Sequence, residues 1–185
     1  MYEVEVKARL RDRASIIKKL ESFGCTFSEV LHQTDYVFIP EGIPFPPVVG
    51  SGTGVLRVRK QNDKYLFTLK IPQSNHQDCI EREMEIPDGE MMIEILELMK
   101  WDKMPDVDKK RIKTNFKDME IVLDVIEHLG EFIEVEKIVT KENPDDRKKT
   151  QEELFDFLET LGISKADRVI DGKYDIMLWE KLKEK

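Results

Sequence analysis

The chain has 185 residues, of which 40% are hydrophobic and 37% are charged, and this length predicts a single domain over residues 1–185 with one continuous core. The net charge of −8 supplies no positive field for a nucleic-acid backbone, so nucleic acid is not an expected partner. No run of about 18 apolar residues and no signal-peptide pattern is found, which favours a cytoplasmic protein without membrane contact. Cys25 and Cys79 have neither metal-ligand nor disulfide spacing, as expected in a reducing compartment.

The first ten residues alternate between charged and apolar side chains, which predicts a strand. Glu3, Glu5 and Lys7 lie on one face of this strand, and the apolar residues between them lie on the other. A helix capped by Asp12 and ended by Gly24 is expected next, followed by a strand over 26–39.

Residues 40–54 contain four prolines and four glycines, too many breakers for a helix or strand. We predict a long loop that acts as a lid, since long loops in compact domains are often functional. The run from Gly50 to Gly54 resembles a phosphate-binding loop, but it lacks the following Lys-Ser/Thr and precedes a strand.

Further strands are predicted where apolar and polar residues alternate, and two helices are predicted where apolar residues recur at helical spacing. The strands are expected over 55–60, 64–71, 80–86, 107–116, 119–126 and 132–140. The helices are expected to begin at Pro87-Asp88-Gly89 and at Asn143-Pro144, the second ending at Gly162, and a short tail follows over 173–182.

Ionic residues recur at every second position in strand after strand. These residues are Glu3, Glu5 and Lys7; Arg57 and Arg59; Glu81, Glu83 and Glu85; Lys109, Arg111 and Lys113; and Glu134 and Glu136. A charged face of one strand usually faces water. Its recurrence leaves two arrangements open: a sheet whose ionic face stays open to solvent, or a sheet that closes into a barrel around the ionic faces, with the apolar faces packed outward against helices.

Buried charges of both signs require partners, which indicates the chemistry of the interior. Carboxylates are preferred ligands of hard divalent cations such as Mg²⁺ or Mn²⁺. Arginine and lysine bind phosphate oxygens. A closed barrel would therefore bind metal ions on one side and a polyanion on the other.

The order of these motifs resembles the CYTH superfamily, the triphosphate tunnel metalloenzymes, and most of all its class IV adenylyl cyclase and thiamine triphosphatase branch. The resemblance covers the chain from Tyr2 to about Tyr174. The matching motifs are Glu3-x-Glu5-x-Lys7, Arg57-x-Arg59, Lys70 in Thr-Leu-Lys, Glu83-x-Glu85, Lys109-x-Arg111, Asp124 and Gly130-x-Phe132-x-Glu134-x-Glu136.

The resemblance implies an α+β fold, an antiparallel closed β-barrel of about eight strands with helices packed on its outside. It also implies a role for each of these residues. The implied substrate-binding residues are Lys7, Arg57, Arg59, Lys70, Lys109, Arg111 and Lys173. The implied metal ligands are Glu3, Glu5, Asp124, Glu134 and Glu136. Catalysis is assigned to Glu5, Lys7 and Glu136, with Glu83 and Glu85 as additional acidic lining of the tunnel.

The implied function is a Mg²⁺- or Mn²⁺-dependent enzyme acting on a small-molecule triphosphate. Three hypotheses remain open: an adenylyl cyclase that converts ATP to cyclic AMP and pyrophosphate, a hydrolase of tripolyphosphate, nucleoside or thiamine triphosphate, and a polyphosphate-binding module without catalysis. The family cyclases also suggest a homodimer.

Overall fold

Eight antiparallel strands form a closed ring in the computed structural model, which describes residues 2–140, 143–170 and 172–184. The ring order is β1-β5-β4-β3-β2-β7-β8-β9, and β9 pairs back onto β1. The strands are β1 (Tyr2–Arg9), β2 (Leu31–Pro40), β3 (Val55–Gln61), β4 (Lys64–Pro72), β5 (Asp78–Ile86), β6 (Trp101–Lys103), β7 (Val107–Phe116), β8 (Met119–Ile126), β9 (Gly130–Val139) and β10 (Arg168–Val169). The short strands β6 and β10 lie beside the ring, paired with β2 and β1.

The helices of the described chain are α1 (Arg13–Ser22), α2 (Gly89–Leu98), α3 (Pro144–Thr160) and α4 (Tyr174–Lys183). The predicted α+β architecture, with an antiparallel sheet closed on itself, is confirmed. None of the described helices is long and apolar enough to cross a membrane.

The apolar faces of the strands point outward and pack against helices. Val4 and Val6 of β1 lie in one buried cluster with Leu20 of α1 and Leu154 and Leu158 of α3. Burying each such side chain contributes about 1.5–3 kcal/mol to folding. This packing leaves the alternate, ionic positions of the same strands pointing into the ring.

Predicted capping residues start three helices. Asp12 accepts a hydrogen bond from the Ser15 amide at 3.0 Å, Asp88 from the Met91 amide at 2.9 Å, and Asn143 from the Asp145 amide at 3.0 Å. Each bond satisfies one amide that the helix itself leaves unpaired.

Three elements differ from the sequence-based expectation. The strand predicted over 26–39 begins only at Leu31, because the preceding segment bonds β7 irregularly, with Ser28 N donating to Lys113 O at 2.8 Å. The tail predicted over 173–182 is helix α4, which buries Ile176 and Leu178. Strand β6 was not predicted, since its three residues are too few to show a period.

Candidate active site

The ring encloses a cavity of about 190 Å³ whose wall is largely ionic. The charged residues that line it come from β1 (Glu3, Glu5, Lys7), β2 (Asp35), β3 (Arg57, Arg59), β4 (Lys70), β5 (Glu81, Glu83), β7 (Lys109, Arg111, Lys113), β8 (Glu120), β9 (Glu134, Glu136) and the start of α4 (Lys173, Asp175). The structure therefore brings most of the residues predicted from the sequence into one space.

Glu3, Glu5 and Glu136 form a carboxylate cluster in which one oxygen of each lies within 4.8 Å of the others. The strand register explains this proximity, because Glu136 is paired with Glu5 on one side and with Glu120 on the other. Burial, and then the charges of Glu3, Glu120 and Glu5, raise the pKa of Glu136 to about 8. A divalent cation would relieve this repulsion, and all the ligands are the hard oxygens that Mg²⁺ and Mn²⁺ prefer.

One oxygen of Glu5 supports the same assignment. Its Oε1 is buried and accepts no hydrogen bond, although the Lys7 Nζ lies 3.2 Å away as an ionic neighbour. A buried carboxylate oxygen without a hydrogen bond is costly to leave unsatisfied. The cluster thus has an oxygen held only by an ionic contact with Lys7, as well as excess negative charge.

Lys7 lies between the carboxylate cluster and the start of α4. Its Nζ is 3.0 Å from Glu134, donates to the Gly172 carbonyl at 3.0 Å, and lies 4.1 Å from the centre of the Tyr174 ring. Burial lowers the pKa of Lys7, but Glu5 and Glu134 outweigh it and the net pKa is raised. Lys7 therefore stays charged.

Arg57, Arg59 and Lys109 form a cation cluster around the buried carboxylate of Asp35. Arg59 donates to both Asp35 oxygens at 2.6 and 3.0 Å, Lys109 donates to Oδ2 at 2.8 Å, and Arg57 lies 3.9 Å from Oδ2. Burial and the neighbouring Arg59 lower the pKa of Lys109 to about 7, despite Asp35. Three cations on one carboxylate leave positive charge for an anionic ligand.

Arg111 is held by two acidic residues that were expected to bind metal. Asp124 accepts from it at 2.7 and 2.5 Å with its two oxygens, and Glu134 accepts at 2.6 Å. The fully buried Asp124 does not line the cavity. Neither residue belongs to the carboxylate cluster, because Arg111 and Lys7 already occupy their oxygens. In this structure Asp124 and Glu134 position cations.

The remaining predicted residues divide between the cavity and the surface. Lys70 lies 2.9 Å from Glu3 and also pairs with Glu81, and Arg57 donates to Glu83 at 3.0 Å. Glu85, expected to line the tunnel, lies outside it. It is near the end of β5, where its side chain is 58% exposed and pairs with Lys64.

Lys173 and Tyr174 close one side of the cavity. The Lys173 Nζ donates to Cys79 Sγ at 3.2 Å. The Tyr174 ring is buried against Phe132, with ring centres 5.2 Å apart. The Tyr174 hydroxyl is buried and has no hydrogen-bond partner. It therefore remains available to a ligand.

Sequence reasoning did not assign binding or catalytic roles to Asp35, Glu81 and Glu120. The motif Gln33-x-Asp35-x-Val37 does alternate, and its single charge at the centre of a predicted strand was the available indication for Asp35. The position of Glu120 beside Glu136 depends on how β8 and β9 pair, and the tertiary structure sets that register.

Comparisons with known proteins agree with this geometry. The CYTH domain model matches residues 1–172. A Methanocaldococcus jannaschii protein named "Putative adenylate cyclase MJ0240" is 30% identical over 176 residues, covering 94% of this chain and 97% of that protein. The Pyrococcus horikoshii PH1012 protein is 28% identical with a TM-score of 0.76, covering 95% of this chain and 98% of the other.

A Hippeastrum protein shares the fold at 18% identity, with a TM-score of 0.60 and coverage of 98% of this chain and 96% of that one. It is described as a "putative adenylyl cyclase" with a dominant triphosphatase activity. Because the family model extends over nearly the whole sequence, this chain belongs to the CYTH domain family.

Proposed function

We propose that this protein is a divalent-metal-dependent enzyme that cleaves a phosphoanhydride bond of a triphosphate bound inside the ring. One observation carries the proposal: a carboxylate cluster with excess negative charge lines the same cavity as a cation cluster in which Arg59 and Lys109 share the single carboxylate of Asp35. Metal ligands and phosphate-binding cations in one enclosed space are what phosphoryl or nucleotidyl transfer requires.

On the acidic side, Glu3, Glu5 and Glu136 would hold Mg²⁺ or Mn²⁺. Bound there, the cation would supply positive charge that stabilises the charge developing on phosphate oxygens. Lys7 lies next to Glu5 and keeps its own charge, so it extends this positive potential toward the phosphates.

On the basic side, the substrate would meet Arg57, Arg59 and Lys109, with Lys70 and Arg111 completing the lining. Guanidinium groups bind two phosphate oxygens at once, and ammonium groups act as point charges. Asp35 fixes Arg59 and Lys109 before a ligand arrives, which reduces the ordering cost of binding.

Glu136 is the residue best placed to accept a proton from the attacking hydroxyl group. Its carboxylate lines the cavity beside Glu5, and the oxygen that does not hold the cation would accept this proton. In hydrolysis, the oxygen of water bonds to a phosphorus, the bridging P–O bond breaks, and the water proton passes to Glu136.

Two reactions fit this site, each supported by a different observation. Conversion of ATP to cyclic AMP and pyrophosphate is supported by the name of the M. jannaschii relative, which matches nearly full length. Hydrolysis is supported by the geometry, since it needs only the two clusters and a water molecule. The reaction of the Hippeastrum protein shows that this fold accommodates it.

Separation of products decides between the reactions. The purified protein is incubated with ATP or tripolyphosphate and Mg²⁺ or Mn²⁺. Cyclic AMP without orthophosphate would exclude hydrolysis, and orthophosphate without cyclic AMP would exclude cyclisation. If no substrate turns over but tripolyphosphate binds, the protein is a binding module, and Glu5→Gln would then weaken only metal-dependent binding.

A further inference from the structure

The inward-facing rows of three strands change from charged to apolar next to the cation cluster. In each row a charged residue and a valine lie two positions apart, so both point into the ring. The pairs are Asp35 and Val37 on β2, Arg57 and Val55 on β3, and Lys109 and Val107 on β7.

The ladder register shows that these valines border the charges directly. Val37 is paired with Arg57 across β2 and β3, and Val107 is paired with Asp35 across β2 and β7. An apolar surface therefore begins at the cation cluster, inside the same cavity.

The loop and the last helix extend this surface. Phe45 of the loop over 41–54 and Val55 both pack against the buried cluster that contains Val37, and Phe45 lines the cavity together with Ile176 of α4. The Trp179 ring meets Phe45 edge-on, with centres 5.8 Å apart. This contact joins the loop to α4 and fixes the Phe45 ring.

We propose that Val37, Val55, Val107, Phe45 and Ile176 form an apolar wall that binds an organic ring attached to the triphosphate. The inference rests on the proposed function, since it places the phosphates on the cation cluster. A bare phosphate chain has no apolar surface to bury, whereas a nucleobase or thiazolium ring does.

Charge gives this proposal a clear test, because tripolyphosphate carries more negative charge than ATP. Electrostatics alone would make tripolyphosphate the tighter ligand. Methyl triphosphate provides the matched control, since it has the charge of ATP without a ring. Calorimetric titration in EDTA, which prevents metal-dependent turnover, compares the three ligands.

We expect ATP to bind at least tenfold more tightly than methyl triphosphate. Val55→Asn should reduce this ratio severalfold, because Val55 is half-buried at the start of β3 and tolerates a polar side chain. Val48→Asn, in the loop that precedes β3, is the control. Val48 is 72% exposed and lies outside the cavity, so this substitution should leave the ratio of the two Kd values unchanged.

Equal Kd values for ATP and methyl triphosphate would overturn the apolar wall as a ligand subsite while leaving the proposed function standing. An unchanged ratio in Val55→Asn would also count against it. If none of the three triphosphates binds, either in EDTA or with Mn²⁺ present, the proposed function itself fails.

Discussion

Replacing Asp35 by asparagine tests whether one buried carboxylate holds the cation cluster together. Asp35 is 5% exposed and accepts two hydrogen bonds from Arg59 and one from Lys109. Asparagine keeps the size of the side chain but removes its charge. Three cations then face one another without the anion that separates them.

The expected loss of stability follows from this geometry. Removing one partner of a buried ion pair costs about 3–5 kcal/mol. Since Arg59 and Lys109 line a cavity that admits water, the lower value of about 3 kcal/mol applies. For a chain of this length it corresponds to a fall in Tm of roughly 6–12 °C. Tripolyphosphate should restore more stability to the variant than to the wild type, because it supplies the missing negative charge.

Urea denaturation at several pH values measures this loss. Arg59 and Lys109 outweigh burial and hold the pKa of Asp35 well below its ordinary value. The stability that Asp35 contributes is therefore fully present above the unfolded-state pKa of about 3.9 and is lost as pH falls through the lower folded-state value. The gap between wild type and Asp35→Asn should be largest near pH 5 and shrink below about pH 4 as Asp35 is protonated. It should also narrow toward pH 7, because Lys109, with a pKa of about 7, loses its charge there.

Asp108→Asn is the matched control, because Asp108 lies on the outer side of β7 and bonds only the exposed Thr34 hydroxyl at 2.6 Å. It should change stability by less than about 0.5 kcal/mol. If Asp35→Asn were as stable as Asp108→Asn, or if its loss did not depend on pH, Asp35 would not be the anchor of the cation cluster.

Three further results are expected from the acidic side of the cavity. Glu136→Gln should lower turnover by about 100-fold or more. The control Glu85→Gln, on the exposed end of β5, should leave turnover unchanged. Equal effects of the two substitutions would contradict the placement of Glu136 at the reacting groups. Mn²⁺ affinity should rise with pH up to about 8, because binding must displace the proton that Glu136 holds, and titration at pH 7 in two buffers of different ionisation enthalpy should detect the released proton. EDTA should abolish turnover and added Mg²⁺ or Mn²⁺ should restore it; activity that survives EDTA would exclude metal dependence.

The period-two alternation of charge predicted the strands and their ionic faces, and the family resemblance predicted that they close into a ring. The alternation identified the strands over 107–116 and 119–126 with the bounds that the structure has, and it placed Glu5, Lys7 and Arg59 on the ionic faces. Alternation is a local property, so it can be read from the chain wherever one face packs against helices.

Which charges pair could not be predicted in this way. Asp124 and Glu134 have the residue type of metal ligands, yet the register of β7, β8 and β9 brings Arg111 against both. The spacing of residues along one strand does not reveal this. Helix α4 was missed for a related reason, since its buried residues Ile176 and Leu178 are defined by what they pack against.

The central claim is that a divalent cation binds Glu3, Glu5 and Glu136 beside a bound triphosphate. A crystal structure with Mn²⁺ and a non-hydrolysable triphosphate analogue tests it directly through the anomalous scattering of manganese. We predict a manganese peak at about 2.0–2.2 Å from oxygens of these carboxylates, with phosphate oxygens of the analogue on its other side. Analogue bound in the ring with no manganese peak at this cluster would contradict the account.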